Sequence, residues 1–483
     1  MSVKRWFFIL TIAMSVLPVL ASSESWGQEF GLIKRDARAF EGYTLFAPMS
    51  SEITYLIDMD GRIVNTWESK YQPGQDVDLI ENGHLLRTGA VGYENRVFSG
   101  GGMGGRVQEY SWDGRLIWDY SCSTDKYVSH HDIDGMPNGN VLIIAWGLKT
   151  EEDATAAGRN QELHGNSIMY DDYIMEVKPT GRKTGEIVWE WHVWDHLIQD
   201  YDPSKRNYGD VASHPELVNI NFGTSRRGGA YNPDWTHINS VDYNRELDQI
   251  VLSARWLNEV WIIDHSTTTR EAAGHSGGKS GKGGDILYRW GNPQIYRTGA
   301  AADQQLFSQH DAQWISPGLP GEGNISIFSN GDRLRSYSSV DEITPPVDVR
   351  GRYSFKPGSP FGPSKPVWTY SASTEKDFTS RAMAGAQRLP NGNTLISSSN
   401  LGTIFEVTSE KEIVWEYLNP VGMRQGSGGS FFKAYRFGKD YPGFVDRDLT
   451  PKETIPVIQS QGGKGGKGGK GKKGGKKGKG GKG

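Results

Sequence analysis

Short apolar stretches broken by turns recur along this chain, while apolar positions at helical spacing are rare. A strand-end pattern closing on an aromatic pair appears six times: Ile63–Trp67, Leu116–Tyr120, Ile187–Trp191, Ile286–Trp290, Pro366–Tyr370 and Ile413–Tyr417. Most copies follow a tight turn such as Asp60-Gly61 or Asp113-Gly114, and an apolar strand such as Tyr55–Asp58 or Val260–Asp264 precedes it. Upstream of these hairpins stand Asn-Gly turns, at Asn82-Gly83, Asn138-Gly139 and Asn391-Gly392, which supply the positive φ of two-residue hairpins. Each unit thus reads as an inner strand, a turn, a second strand and a terminal hairpin. Six such units predict an all-β chain, a six-bladed β-propeller of four-stranded antiparallel blades over residues 30–446.

Only five inner segments lie between the six patterns, so the last blade must be closed by both chain ends. Glu41–Phe46 and Phe431–Phe437 are the candidates, and their pairing would remove a free sheet edge. Successive patterns are 53, 71, 99, 80 and 47 residues apart, which marks 192–232, 265–284 and 341–365 as insertions expected to form loops on one face. The segment Trp189–Asp202 reads as a short helix or a lid.

Three histidines occupy one repeat slot. His131, His237 and His310 each stand seven residues before a strand-closing turn, and Gln75 and Ala384 fill the same slot in two further units. Repeats related by rotation about an axis bring equivalent positions together, so these imidazoles are expected to share one pocket. Asn239 follows His237 by two residues, on the same side of a strand. Arg255 is expected to interrupt the apolar strand that pairs with the His237 strand, and a cation there needs an anionic partner. Imidazoles, a guanidinium and an amide suit transfer of a tetrahedral oxyanion group. An imidazole nitrogen can attack sulfur or phosphorus, a guanidinium can hold the oxygens, and a second imidazole can protonate the departing oxygen.

These residues resemble the bacterial arylsulfate sulfotransferases. The likeness runs from about Gly42 to Phe444. It is carried by Asp234-Trp-Thr-His237-Ile-Asn239 with Arg255, by Ser308-Gln-His310-Asp-Ala, by His131 in His-His-Asp, by Asn330-Gly331 and by Ala434–Gly443. The resemblance implies an enzyme that moves a sulfuryl group from an aryl sulfate donor to a phenolic or other hydroxyl acceptor. It implies a ping-pong cycle in which His310 is sulfated on nitrogen, while His237, His131, Arg255 and the substrate-binding Asn239 assist. It implies no metal and no cofactor such as a nucleotide sulfate. Two other readings fit the same residues: a non-catalytic propeller binding sulfated glycans or a protein partner, and a zinc hydrolase with the three histidines as ligands.

Composition sharpens the setting. A basic start at Lys4 and Arg5, an uncharged run from Trp6 to Ala21 and small residues at its end predict a signal peptide over 1–21, hence a periplasmic or secreted protein. Cys122 is the single cysteine, so no intramolecular disulfide can form, and nothing basic flanks it to activate it. The net charge of −4 becomes −13 once the nine lysines of residues 462–483 are set aside. An acidic body is not the footprint of a nucleic-acid-binding fold. Residues 447–483 are expected to be a disordered segment whose Gly/Lys tail acts as a linker or touches anionic envelope polysaccharide. The repeated tryptophans are expected to pack in the core, Gly101–Gly105 to be a flexible turn, and His130, His192 and His196 have no assigned role.

Overall fold

The computed structural model describes residues 30–459, apart from 165–166, 224–225, 228–229, 373, 375–377 and 424–427. The expected signal peptide and Gly/Lys tail lie outside the described residues. The fold is all-β, a propeller-like arrangement of small antiparallel sheets. Among the described residues no helix is long and apolar enough to cross a membrane.

Three sheets have four strands in the expected order. One runs Phe431–Gly438, Gly42–Pro48, Ile53–Ile57, Ile63–Glu68; another Ile238–Asn244, Gln249–Ala254, Glu259–Asp264, Tyr288–Trp290; a third His310–Trp314, Ile325–Ser329, Ser339–Ile343, Trp368–Tyr370. The first of these joins the two ends of the chain, with Leu45 opposite Tyr435 and Tyr43 opposite Phe437. The remaining sheets depart from six separate four-stranded units. Gly385–Arg388, Thr394–Ser398, Thr403–Val407 and Ile413–Leu418 gain a fifth strand, Gly31–Arg35, on the outer edge. Two runs of four, Pro73–Leu79 to Leu116–Ser121 and Tyr127–Gly135 to Thr184–His192, form one eight-stranded sheet. A parallel bridge between Gln75 and His131 links their inner strands. Those strands run close enough at this point for main-chain pairing, and the Ala384 amide likewise donates to the Phe432 carbonyl at 3.1 Å, while side chains join other neighbouring inner strands.

These side-chain links explain the many buried acids on the inner strands. Asp132 accepts from the Val241 amide at 3.1 Å, Asp242 from Trp314 at 2.7 Å and Asp311 from Ala386 at 2.9 Å. Each carboxylate satisfies an amide of the next inner strand that no ladder reaches. Lys433 offsets part of this charge, with Nζ 2.9 Å from Asp132 and 3.2 Å from Asp311, while burial pushes the Asp132 and Asp242 carboxyls up. Asp132 and Asp311, which follow His131 and His310, are therefore held by the axial lysine.

The repeated tryptophans do more than fill the core. Each indole N–H donates to an oxygen of the next unit's hairpin region: Trp67 to Ser111 at 3.0 Å, Trp118 to Thr184 at 3.0 Å, Trp191 to Gly284 at 2.7 Å. The series continues through Trp290 to Pro363 at 2.8 Å, Trp368 to Ser409 at 3.0 Å and Trp415 to Met59 at 2.9 Å. The last bond returns to the unit that began the series, so the chain of contacts is a ring. A large apolar surface with one donor suits this position, because a buried indole N–H needs an acceptor.

The insertions are tied down. Buried Arg289 pairs with Glu259 and donates to the Pro215 and Leu217 carbonyls at 3.0 and 2.9 Å. The segment from Trp189 forms neither a helix nor a free lid: Val193–His196 is a single 3-10 turn, and Leu197–Ile198 pairs with Val218–Asn219. The folded part also reaches past 446. The Ile63 amide and carbonyl bond Glu453 and Lys452, Ile455 is buried, and Ile458–Gln459 pairs with Val421–Met423. Free main-chain groups on that outer strand recruit residues that composition alone assigns to disorder.

Candidate active site

The slot shared by the repeats has an uncommon backbone. The φ angles of Gln75, His131, His237 and Ala384 are 133°, 53°, 54° and 111°, and Ser308 and Asp311 flank His310 at 53° and 52°. Pairing shifts register beside the slot, between Pro73 and Val77, Ile238 and Val241, and His310 and Gln313. A bulge of this kind re-aims one side chain out of the ladder. The left-handed conformation costs an L-residue roughly 1–2 kcal/mol, and three of the five slots spend it on a buried histidine or its neighbours.

The histidines converge. The His131 and His237 rings meet edge to face with centroids 4.6 Å apart, and Phe432 lies 6.2 Å from His131 and 6.5 Å from His310. Arg255 stands close enough to repel a proton from all three imidazoles. It does not interrupt a strand, as expected above, but begins the turn after Gln249–Ala254, where its guanidinium stacks 3.8 Å over Trp256 and donates to the Arg381 carbonyl at 3.3 Å. A turn lets a long cation reach the pocket without burying its backbone.

What stands behind each imidazole differs, and this sets its chemistry. His310 Nδ1 is 2.7 Å from Asn330 Oδ1, while the Asn330 amide donates to the Ser380 and Met383 carbonyls at 2.5 and 2.7 Å. Those carbonyls only accept, so Asn330 Oδ1 must accept from His310. The His310 proton is therefore on Nδ1, and Nε2 carries the lone pair, which accepts from the Met383 amide at 3.2 Å and must be released from it to act as a nucleophile. His237 Nδ1 bonds the Asp234 carboxylate, which leaves its Nε2 forward too. His131 Nδ1 is 2.8 Å from His130 Nδ1, and His130 Nε2 is 2.9 Å from Asp172. The His130 Nε2 contact with Asp172 is outside hydrogen-bond geometry, and the two facing Nδ1 atoms share one proton between them. His130, stacked 4.1 Å over Trp146, stands between Asp172 and His131.

Burial keeps these imidazoles neutral. It pushes His310 well below the ordinary imidazole range, helped by Arg255, and His131 likewise, helped by His237. Burial also lowers His237, although Asp234 opposes it. Burial pushes Asp234 up, but His237 outweighs this and holds the carboxyl below its usual range.

Other residues fall less directly on the pocket. The Asn239 amide donates to the Gln309 carbonyl at 2.9 Å, one residue before His310, and its Oδ1 has no hydrogen-bond partner among the described residues. His192 bonds Asp171 at 2.9 Å, and His196 lies in an insertion beside Asp285. Gly102 was not legible as a site residue: its carbonyl accepts from the His131 amide at 2.8 Å, and a Cβ there would sit 2.1 Å from the His131 ring. The run Gly101–Gly105 is thus a wall of the pocket. Gln75 and Gly102 also border a cavity of about 850 Å3 with Met49, Phe98, Arg96 and Met103. Asp234 and Asn330 stand in the motifs quoted above, and a carboxylate three residues before a slot histidine was the available signal for the first. Donor atoms able to gather within 4.8 Å occur, among the described residues, at His196, His275 and Asp285, not at the pocket histidines.

Bulged inner strands from several sheets turn neutral imidazoles toward one another beside a guanidinium, a setting that suits an anionic group. The chain belongs to the arylsulfotransferase family, whose model matches residues 31–420. It is 23% identical over 381 residues to an arylsulfate sulfotransferase of Escherichia coli, covering 73% of this chain and 58% of that protein. A second arylsulfate sulfotransferase, from Lelliottia amnigena, is 22% identical with the same coverage. The chain therefore spans a little over half the length of these relatives. Similar solved structures include a Bacteroides caccae protein of unknown function (TM-score 0.44, 11% identity, 82% of this chain and 99% of that one). A virginiamycin B lyase from Staphylococcus aureus has a TM-score of 0.36 at 11% identity, covering 80% of this chain and 88% of the other.

Proposed function

We propose that this protein is an arylsulfate sulfotransferase working through a sulfated histidine, and that it acts after export to the periplasm or outside the cell. The observation that carries the reading is the pair of unlike partners behind His310 and His237. A neutral amide orients His310, which suits a nucleophile, while a carboxylate backs His237, which suits a group that must carry a proton.

In the first half-reaction the His310 Nε2 lone pair attacks sulfur and the S–O bond to the aryl group breaks. The electron pair leaves on the aryloxide, which takes a proton from the imidazolium form of His237. Arrival of the donor's sulfate anion favours that form, since an opposite charge nearby raises an imidazole's proton affinity. In the second half-reaction the acceptor hydroxyl attacks sulfur, its proton passes to His237 Nε2, and His310 Nε2 regains its lone pair. Arg255 holds the group being moved, and Asn239, donating to the Gln309 carbonyl, steadies the backbone beside His310. The donor's aryl ring has room in the 850 Å3 cavity beside His131. No nucleotide sulfate enters the cycle.

The fold reading that goes with this is six blades. The eight-stranded sheet counts as two blades sharing one bridge, and the six-membered ring of tryptophan bonds supports that count.

The test is turnover of a chromogenic aryl sulfate with and without a phenol, combined with mass spectrometry of enzyme quenched without acceptor. One added sulfuryl group at His310, and loss of about three orders of magnitude in His310→Ala, are the expected results. Undiminished transfer by His310→Ala would remove the mechanism.

A further inference from the structure

We propose that His196, His275 and Asp285 form a binding site for one zinc-type divalent cation, in the insertions and away from the inner strands. His196 Nδ1 lies 3.0 Å and His275 Nδ1 2.7 Å from the same oxygen, Asp285 Oδ1, and the three donor atoms lie within 4.8 Å of one another.

The partner behind His196 decides what faces the carboxylate. Its Nε2 is 2.8 Å from the Ala272 carbonyl, which only accepts, so the one proton of a neutral imidazole is on Nε2. Nδ1 then presents a lone pair to a carboxylate oxygen in a fully buried place, where two lone pairs repel. A positive charge between them resolves the conflict. One divalent cation does so for all three atoms at once, whereas protons must be added separately to each ring. An imidazole whose far nitrogen is fixed by a backbone carbonyl is the usual arrangement of a metal-binding histidine.

The geometry is close to that of a bound ion. Zinc bonds of about 2.0–2.1 Å in a tetrahedron set donor atoms roughly 3.3 Å apart, so small outward movements complete the site. The His275 side chain is 62% exposed and free to make them. Three protein ligands leave one position open, and His275 lines a cavity of about 640 Å3 with Trp194, Asp195 and His214, which has room for water there. Such an ion would join the Val193–His196 turn to the 265–284 insertion in a protein that has no disulfide to do so.

Full-length protein stripped with a chelator and dialysed is titrated with zinc chloride, reading heat, metal content and melting temperature. The expected result is one zinc per chain at sub-micromolar affinity and a melting temperature that rises with zinc. His275→Ala and the milder His275→Gln should weaken binding on the order of a hundredfold and abolish the thermal shift, while His214→Ala should bind as the parent does. Aryl sulfate turnover by His275→Ala should stay unchanged, which keeps this result independent of the reaction proposed above. Zinc uptake equal in parent and His275→Ala, or none in the parent, overturns the site and leaves the cluster as two histidines bonded to one acid.

Discussion

Replacing Asp234 with asparagine keeps the shape of the side chain and removes its charge. In the parent that carboxylate bonds His237 Nδ1 and accepts from Trp256 at 3.4 Å, and the side chain is almost wholly buried. Its catalytic value lies in the imidazolium form of His237. Two unit charges about 4 Å apart at an effective dielectric of 20 attract by ~4 kcal/mol, an upper limit close to three orders of magnitude in rate. Positioned proton transfer ordinarily contributes about 10²–10⁴-fold. Asp234→Asn should therefore lower kcat/KM for the donor by about 10²–10³-fold when the leaving phenol is weakly acidic. With a nitrophenyl sulfate, whose aryloxide departs without a proton, the loss should stay within about tenfold. The assay is a series of para-substituted phenyl sulfates with one acceptor, plotting log kcat/KM against leaving-group pKa. The variant's slope should be steeper than the parent's. An equal loss across the series would mean that Asp234 only supports the fold near His237, and would refute the division of roles between His237 and His310.

Two further outcomes follow from the same geometry. With a nitrophenyl sulfate, which needs no proton from His237, kcat/KM should stay level from pH 8 to about 6.5 and its acid limb should lie below the ordinary imidazole value of about 6.5, because burial and Arg255 hold His310 down, and burial and His237 hold His131 down. For stability the sign runs the same way: the unfolded chain binds more protons below about pH 6.5, so the melting temperature should fall as pH drops through that value and be insensitive to these groups above it. An acid limb above pH 7 would contradict neutral buried imidazoles. Gly102→Ala places a methyl group into the His131 ring at a φ of +85° and should reduce turnover by about 100-fold or more. Circular dichroism should show the sheets intact; full activity would mean that Gly102 does not wall the pocket.

Much of this protein could be read along the chain because its information is periodic. The aromatic strand ends, the Asn-Gly turns and the slot of His131, His237 and His310 repeat, and repetition about an axis turns distant positions into neighbours. The closing pair Gly42–Pro48 and Phe431–Gly438 was legible by the same logic, since a ring of hairpins has to be finished by whatever remains. The resemblance to the family rested on those same motifs.

What only tertiary structure decided were relations between side chains that no period connects. The proton position on His310 is set by Asn330, and that of Asn330 by the Ser380 and Met383 carbonyls on another segment. His130 came to back His131, with Asp172 beside it, only when the neighbouring hairpin arrived. Arg255 moved from a strand to a turn, Gly102 became a wall, and residues 447–459 found unpaired backbone to join. Hydrophobic alternation determines which face of a strand is buried, so it carries fold. Hydrogen bonds act over about 3 Å between groups far apart in the chain, so reactivity is settled only when the chain has closed.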